Sequence, residues 1–409
     1  MGLLSVNINS RTKAIRERMS ATEPSLFPLV GLEAVANTQH QWVALALTVA
    51  PHPASGLDAW QALLSVFAWP DMGAALAPLD CIVTLADPLR MLPEHMAALP
   101  ASRVVLRIDA AALAEPAVRK RCAELVEQGY RLVADGEPGI HAMQTGVKGV
   151  TSDCAVALPS ALALMSLPGP HWARNVPGAA RLAVCRAAGM HWFSGPYERE
   201  AAPQGGDGTS RKRLLALLGL LARDADSREL ETILKQDPAL SYHLLKLVNS
   251  AAFALSSPIH NFGQAINLLG RRQLQRWLQL LLYARQMDDS TASLLLPLAA
   301  LRAAQMEALC KQLGGDRDRQ DMAFVVGVFA LLDVLLGMPM PEIVGALHLD
   351  AEVAGALLER SGQLGALLAL VEAPLAERER LDAVGLTPEA FWQSQLQGYH
   401  WAIQVSRNL

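Results

Sequence analysis

Over 409 residues the chain is 52% hydrophobic, 18% charged and 5% aromatic, with a net charge of −4. That length asks for roughly two or three domains, and the apolar fraction is enough to fill large cores. A small acidic surplus with so few rings argues against a general nucleic-acid binder, which needs a basic face or stacking platforms.

The first 24 residues, with a short apolar start and charges after it, read as a tail rather than a signal peptide. Strand-like runs follow at 42–49, 81–86, 103–108, 130–134 and 146–151. They alternate with amphipathic stretches such as 111–129, the pattern of a mostly parallel sheet, open or closed into a barrel. EREAAPQGGDGTSRKR, residues 198–213, is polar and glycine-rich, which is linker chemistry. It separates a β/α domain at 25–197 from a domain at 214–409. Helix-like periodicity alone appears after it, at 212–223, 227–236, 239–250, 261–285, 291–313, 319–337, 341–347 and 350–372, so the second half is predicted to be all-α. No apolar run reaches the ~18 residues of a membrane helix. Five scattered cysteines, none in a C-x-x-C pair, read as buried reduced thiols and suit a cytoplasmic location.

Within the helical half, Asp237-Pro238 fits a helix start. Asn249-Ser250 fits a helix end, its side chains bonding nearby backbone. Leu244, Leu247 and Val248 share an apolar face with Trp277 expected in the same bundle. Arg271, Arg272 and Arg276 form a basic edge beside Trp277. The edge reads first as a solvated helix face and, as the alternative, as a seat for an acidic partner or a phosphate.

The order of the first half, with FPLV (27–30), WVAL (42–45), RVVLRI (103–108), GYRLVADGEPG (129–139), ARNV (173–176) and GMHWFSGPY (189–197), resembles the EAL domain. That family is a TIM-like β/α barrel that hydrolyses cyclic di-GMP with two divalent metals held by carboxylates at strand ends. The resemblance places the family's ligands at Val43, Thr84, Arg107, Asp135 with Gly136, Arg174, Pro177 and Ser194. Only Asp135 and Lys148 keep the expected chemistry. One carboxylate cannot hold two metals, and arginines repel cations. The resemblance therefore implies a degenerate EAL-like barrel with no catalytic residue, no metal and no cofactor. Arg107, Asp135, Lys148 and Arg174 remain as candidate binding residues.

Asp237-Pro238, Asn249-Ser250-Ala251, Ile259, Ala265 to Gly270 and FVVGVFALLDVLLGMP (324–339) are similar to the HDOD domain, a helical relative of HD phosphohydrolases. HD enzymes need an adjacent His-Asp pair for metals, and none of the ten histidines here precedes an aspartate. The nearest case is His348-Leu349-Asp350, where Asp350 is expected to start a helix. A degenerate EAL-like barrel followed by HDOD resembles the YuxH-like group of EAL-HDOD bacterial signalling proteins. The resemblance implies signal transduction by protein–protein contact without catalysis. The alternative is a cyclic di-GMP receptor that binds without hydrolysis, with Arg107 and Arg174 meeting phosphates. An active phosphodiesterase is the third reading. The partner is unidentified, and a homodimer is left open.

Overall fold

The computed structural model describes residues 26–200, 218–219, 264, 270–284 and 294–408. The tail and the HDOD-like positions Asp237, Leu244, Leu247, Val248, Asn249 and Ser250 lie outside the described residues.

Eight strands close a barrel in sequence order. They are β1 (Leu29–Ala36), β2 (Trp42–Ala50), β3 (Asp80–Thr84), β4 (Val104–Asp109), β5 (Arg131–Asp135), β6 (Gly149–Asp153), β7 (Trp172–Arg174) and β8 (Trp192–Phe193). β2 to β8 pair in parallel, whereas β1 runs antiparallel to both neighbours, β2 and β8. The β1–β2 link is a hairpin in which the Asn37 carboxamide oxygen accepts the Gln39 and Gln41 N–H groups, both at 2.9 Å. Side chains alternate between faces. Val35, Ala44, Ile82, Val105, Val133 and Trp172 fill the interior, while Leu45, Leu47, Val83, Leu106, Ile108, Leu132 and Val150 face the surrounding layer.

That layer includes α1 (Ala59–Phe67), α2 (Met72–Ala75), α3 (Pro116–Glu127), α4 (Ala161–Ser166) and α5 (Ala179–Ala187). The second half supplies α6 (Arg271–Ala284), α7 (Leu295–Gln312), α8 (Arg317–Phe329), α9 (Leu332–Leu336), α10 (Met340–Leu347), α11 (Ala351–Glu359), α12 (Gly362–Glu372), α13 (Arg378–Val384) and α14 (Pro388–Asn408). α7 lies at its centre against α8, α12 and α14. Gly327 lets α8 cross closely, because a Cβ there would stand 2.6 Å from the Ala303 Cα. Asp350 caps α11 by accepting the Glu352 N–H at 2.8 Å, the helix-start role expected of it. All five cysteines are buried and unpaired.

A hairpin leaves no crossover helix to cover the outer face of β1, whereas α1, in the link from β2 to β3, packs on β2. The last helix covers the β1 face instead. Trp392, Leu396, Tyr399 and Ile403 of α14 join the outer barrel core with Val30, Ala34, Leu45 and Leu47. The Tyr399 hydroxyl donates to the Leu32 carbonyl at 2.9 Å. Leu301 of α7 packs against both cores. Between α12 and α13, the Pro374 carbonyl presses on Gly31, 2.3 Å from where a Cβ would sit. Arg378 donates to the Phe27 carbonyl at 3.2 Å. The stretch from 198 is not all linker: Tyr197 and Glu198 are buried on a short 3-10 turn, Pro196–Arg199, which extends the barrel's packing beyond β8.

Candidate functional site at the barrel mouth

The inner-face positions continue past the packed interior to the C-terminal strand ends, where the next inward residue is polar, buried at Thr151 and Ser194 and more open at the others. Ile82 leads to Thr84, Val105 to Arg107, Val133 to Asp135, Gly149 to Thr151, Trp172 to Arg174 and Trp192 to Ser194. From the antiparallel β1, Glu33 enters the same ring opposite Ala46.

These side chains form one network. Arg174 donates to an Asp135 carboxylate oxygen at 2.5 Å and to the Thr151 hydroxyl at 3.1 Å. Arg107 donates twice to the Thr84 hydroxyl, at 3.1 and 2.6 Å, and its Nε lies 3.7 Å from the other Asp135 oxygen. Trp172 Nε1 donates to the Ser194 hydroxyl at 3.2 Å, and the Arg174 guanidinium lies 5.9 Å from the Trp172 ring. Burial lowers the Arg107 pKa, as does the neighbouring Arg174 charge, against Asp135 and Glu33. Glu33 opens at the rim, yet the surrounding walls desolvate its carboxyl and raise its pKa. A Ser194 hydrogen bond and Arg174, Arg107 and Arg199 oppose that rise.

Arg107, Asp135 and Arg174 are thus brought together. Lys148 does not join them: it precedes β6 at the opposite end of the barrel, its side chain exposed and its carbonyl accepting the Gly169 N–H at 2.7 Å. Strand register also moves the inward position of β2 from Val43 to Ala44, which is equally without oxygen. The residues do not fit a pair of divalent cations. Asp135 is flanked by two guanidiniums, and Asp109 and Asp153 turn an oxygen each to the Ala111 and Ala155 N–H groups. Among the described residues no three His, Cys, Asp or Glu side chains gather for a metal.

The basic edge is corrected too. Arg276 is closed on both sides rather than solvated, donating to both Glu307 oxygens at 3.0 and 2.7 Å and to Asp321 at 2.8 Å. Its guanidinium lies 4.5 Å from the Phe324 ring centroid. Arg272 pairs with Asp321 at 2.6 Å. The side chain of Arg271 is outside the described set. An acidic partner or phosphate would have to displace these carboxylates, so this edge is not an open anion seat. Trp277 is buried in the bundle core, as the apolar spacing implies.

Reading the sequence alone misses Glu33 and Glu198. Glu33 stands two residues before inward Val35, a signal that needs β1 to be recognised first. Glu198 is nine-tenths buried, and its Oε1 has no hydrogen-bond partner among the described residues. Burial first, and Glu33 second, push its carboxyl up from 4.5 to about 8 against the pull of Arg199. Because the folded pKa is the higher one, the proton stabilises the fold. That contribution is whole below about 4.5 and is lost as pH rises through about 8. Glu198→Gln is therefore expected to flatten the fall in stability across this window, measured by urea unfolding at a series of pH values. An unchanged slope would remove Glu198 from the account.

The HDOD domain model matches residues 212–372. Two relatives are each 30% identical: YuxH, an uncharacterized protein of Bacillus subtilis, over 175 residues (41% of this chain, 42% of that one), and the cyclic di-GMP phosphodiesterase CdgJ of Vibrio cholerae over 190 residues (45% and 43%). The chain spans less than half the length of either relative. Among solved structures, the PaMucR phosphodiesterase in its c-di-GMP complex aligns at 14% identity and a TM-score of 0.34, covering 42% of this chain and 95% of that one. The barrel assignment rests instead on the strand order and closure described above. Residues 212–372 thus match the HDOD domain and follow a closed eight-stranded β/α barrel, an order consistent with EAL-HDOD proteins.

Proposed function

We propose that the chain is a non-catalytic signal-transduction protein of the bacterial cytoplasm that acts through contact with other proteins. The observation that supports this is the Arg107–Asp135–Arg174 cluster, with Asp135 bridged by two guanidiniums at the strand ends where a metal-dependent phosphodiesterase needs carboxylates. Cations are repelled there, and Asp135 is committed to its own arginines. No described helix is long and apolar enough to cross a membrane. The expected result is no turnover of cyclic di-GMP or bis-p-nitrophenyl phosphate with magnesium or manganese. Turnover that vanishes in Asp135→Ala would overturn the proposal.

A second reading, metal-free binding of cyclic di-GMP, is favoured by the same two arginines, which share one mouth with the Thr84 and Thr151 hydroxyls. Phosphate would have to compete with Asp135 for them. Calorimetry on the wild type and Asp135→Asn tests this: tighter binding by the variant supports a receptor, and no heat in either leaves the protein-contact reading.

A further inference from the structure

Helices α6, α7, α8 and α14 line an open-sided cavity of about 360 Å³ that is separate from the barrel mouth. That size falls at the small end of ligand pockets. Ala304 and Ala308, one turn apart on α7, leave room between longer side chains. The apolar wall is aromatic. The Trp401 ring lies 5.6 Å from Trp277 and 5.8 Å from Phe324, and of the three Trp401 is the half-buried one. The polar wall carries Gln273, Gln320 and Gln397 together with Lys311. Gln320 donates its amide to the Gly315 carbonyl at 2.7 Å, which holds the side chain in place and leaves its carbonyl oxygen to accept. Arg276 and Arg272 are neutralised by Glu307 and Asp321, so exposed Lys311 carries the surplus positive charge of this wall.

Each part of that lining selects the same chemistry. An accessible indole stacks a planar base. Primary amides pair donor and acceptor with a purine edge. A lone ammonium meets a phosphate as a point charge. We propose that this cavity binds a purine nucleoside monophosphate, with the base against Trp401, its edge toward the glutamines and the phosphate toward Lys311.

The test titrates the full chain with GMP and AMP, read by tryptophan fluorescence and calorimetry, with inorganic phosphate as a partial probe. Saturable quenching by at least one nucleotide is expected, with no matching response to phosphate alone. Lys311→Ala and Trp401→Leu should each weaken binding about tenfold. Lys311 is exposed, so its variant should melt like the wild type and keeps the test sound if Trp401→Leu misfolds. No saturable response at millimolar nucleotide would overturn the proposal. So would binding unmoved by Lys311→Ala, or binding lost in Arg107→Ala instead, which would place the nucleotide at the barrel mouth.

Discussion

Replacing Trp392 with alanine is expected to lower stability by about 3–5 kcal/mol, through lost transfer energy and the cavity left behind. The indole is 1% exposed and lies in the core shared by α14 and the outer face of β1 and β2. The hairpin gives β1 no crossover helix of its own, so its outer face depends on a helix from the far end of the chain. The loss should therefore appear in the barrel and the helical half together, as one shifted transition by circular dichroism and by fluorescence. A chain ended after Gly385 should expose Val30, Ala34, Leu45 and Leu47 and bind a hydrophobic dye. If a fragment of residues 26–200 melts at the same temperature as the whole chain, α14 is not supporting the barrel. Limited proteolysis is expected to cut first in the 198–213 stretch, beyond the buried Glu198, and the nicked halves are expected to stay associated through this contact.

Arg276→Ala should cost about 2–3 kcal/mol, because it takes both close hydrogen bonds from half-buried Glu307, leaves Asp321 to Arg272 alone and removes a guanidinium stacked on Phe324. The Arg276 side chain is 15% exposed, against 40% for Arg272. Arg272→Ala is accordingly expected to cost less than about 1 kcal/mol, as a screened surface pair does. Glu307→Gln combined with Arg276→Ala should recover part of the loss, since the uncompensated charge then disappears. Urea titrations of the two single variants and the double variant decide this. Equal effects of Arg272→Ala and Arg276→Ala would mean the ion-pair wall contributes nothing beyond surface charge.

Much of this arrangement is legible in residue order, and the exceptions have local causes. β2 to β4 are largely apolar runs that stand out, and β5 and β6 carry a shorter apolar or β-branched centre, Leu132 to Ala134 and Val150-Thr151. β7 and β8 span three and two residues, too short for any period to show. β1, LVGLEAVA, holds Gly31, Glu33 and two alanines, which weaken its strand signal, and its pairing comes from neighbours on both sides. The charge at the mouth follows from spacing once a strand is known, because Arg107, Asp135 and Arg174 each stand two residues beyond an inward apolar side chain. Lys148 carries a suitable charge but sits ahead of its strand, and only direction along the barrel excludes it.

Composition and period, then, determined a β/α half followed by a helical half, the reduced buried thiols and the scarcity of carboxylates at the strand ends. These are properties of single segments, set by side-chain chemistry and by the two- and 3.6-residue repeats of the backbone. Closure of the barrel, the antiparallel β1, the cover that α14 lends to β1 and β2, the pairing of Arg276 with Glu307 and the burial of Glu198 were decided only in the tertiary structure. Each depends on which distant surfaces meet, and no local pattern encodes the far side of a contact.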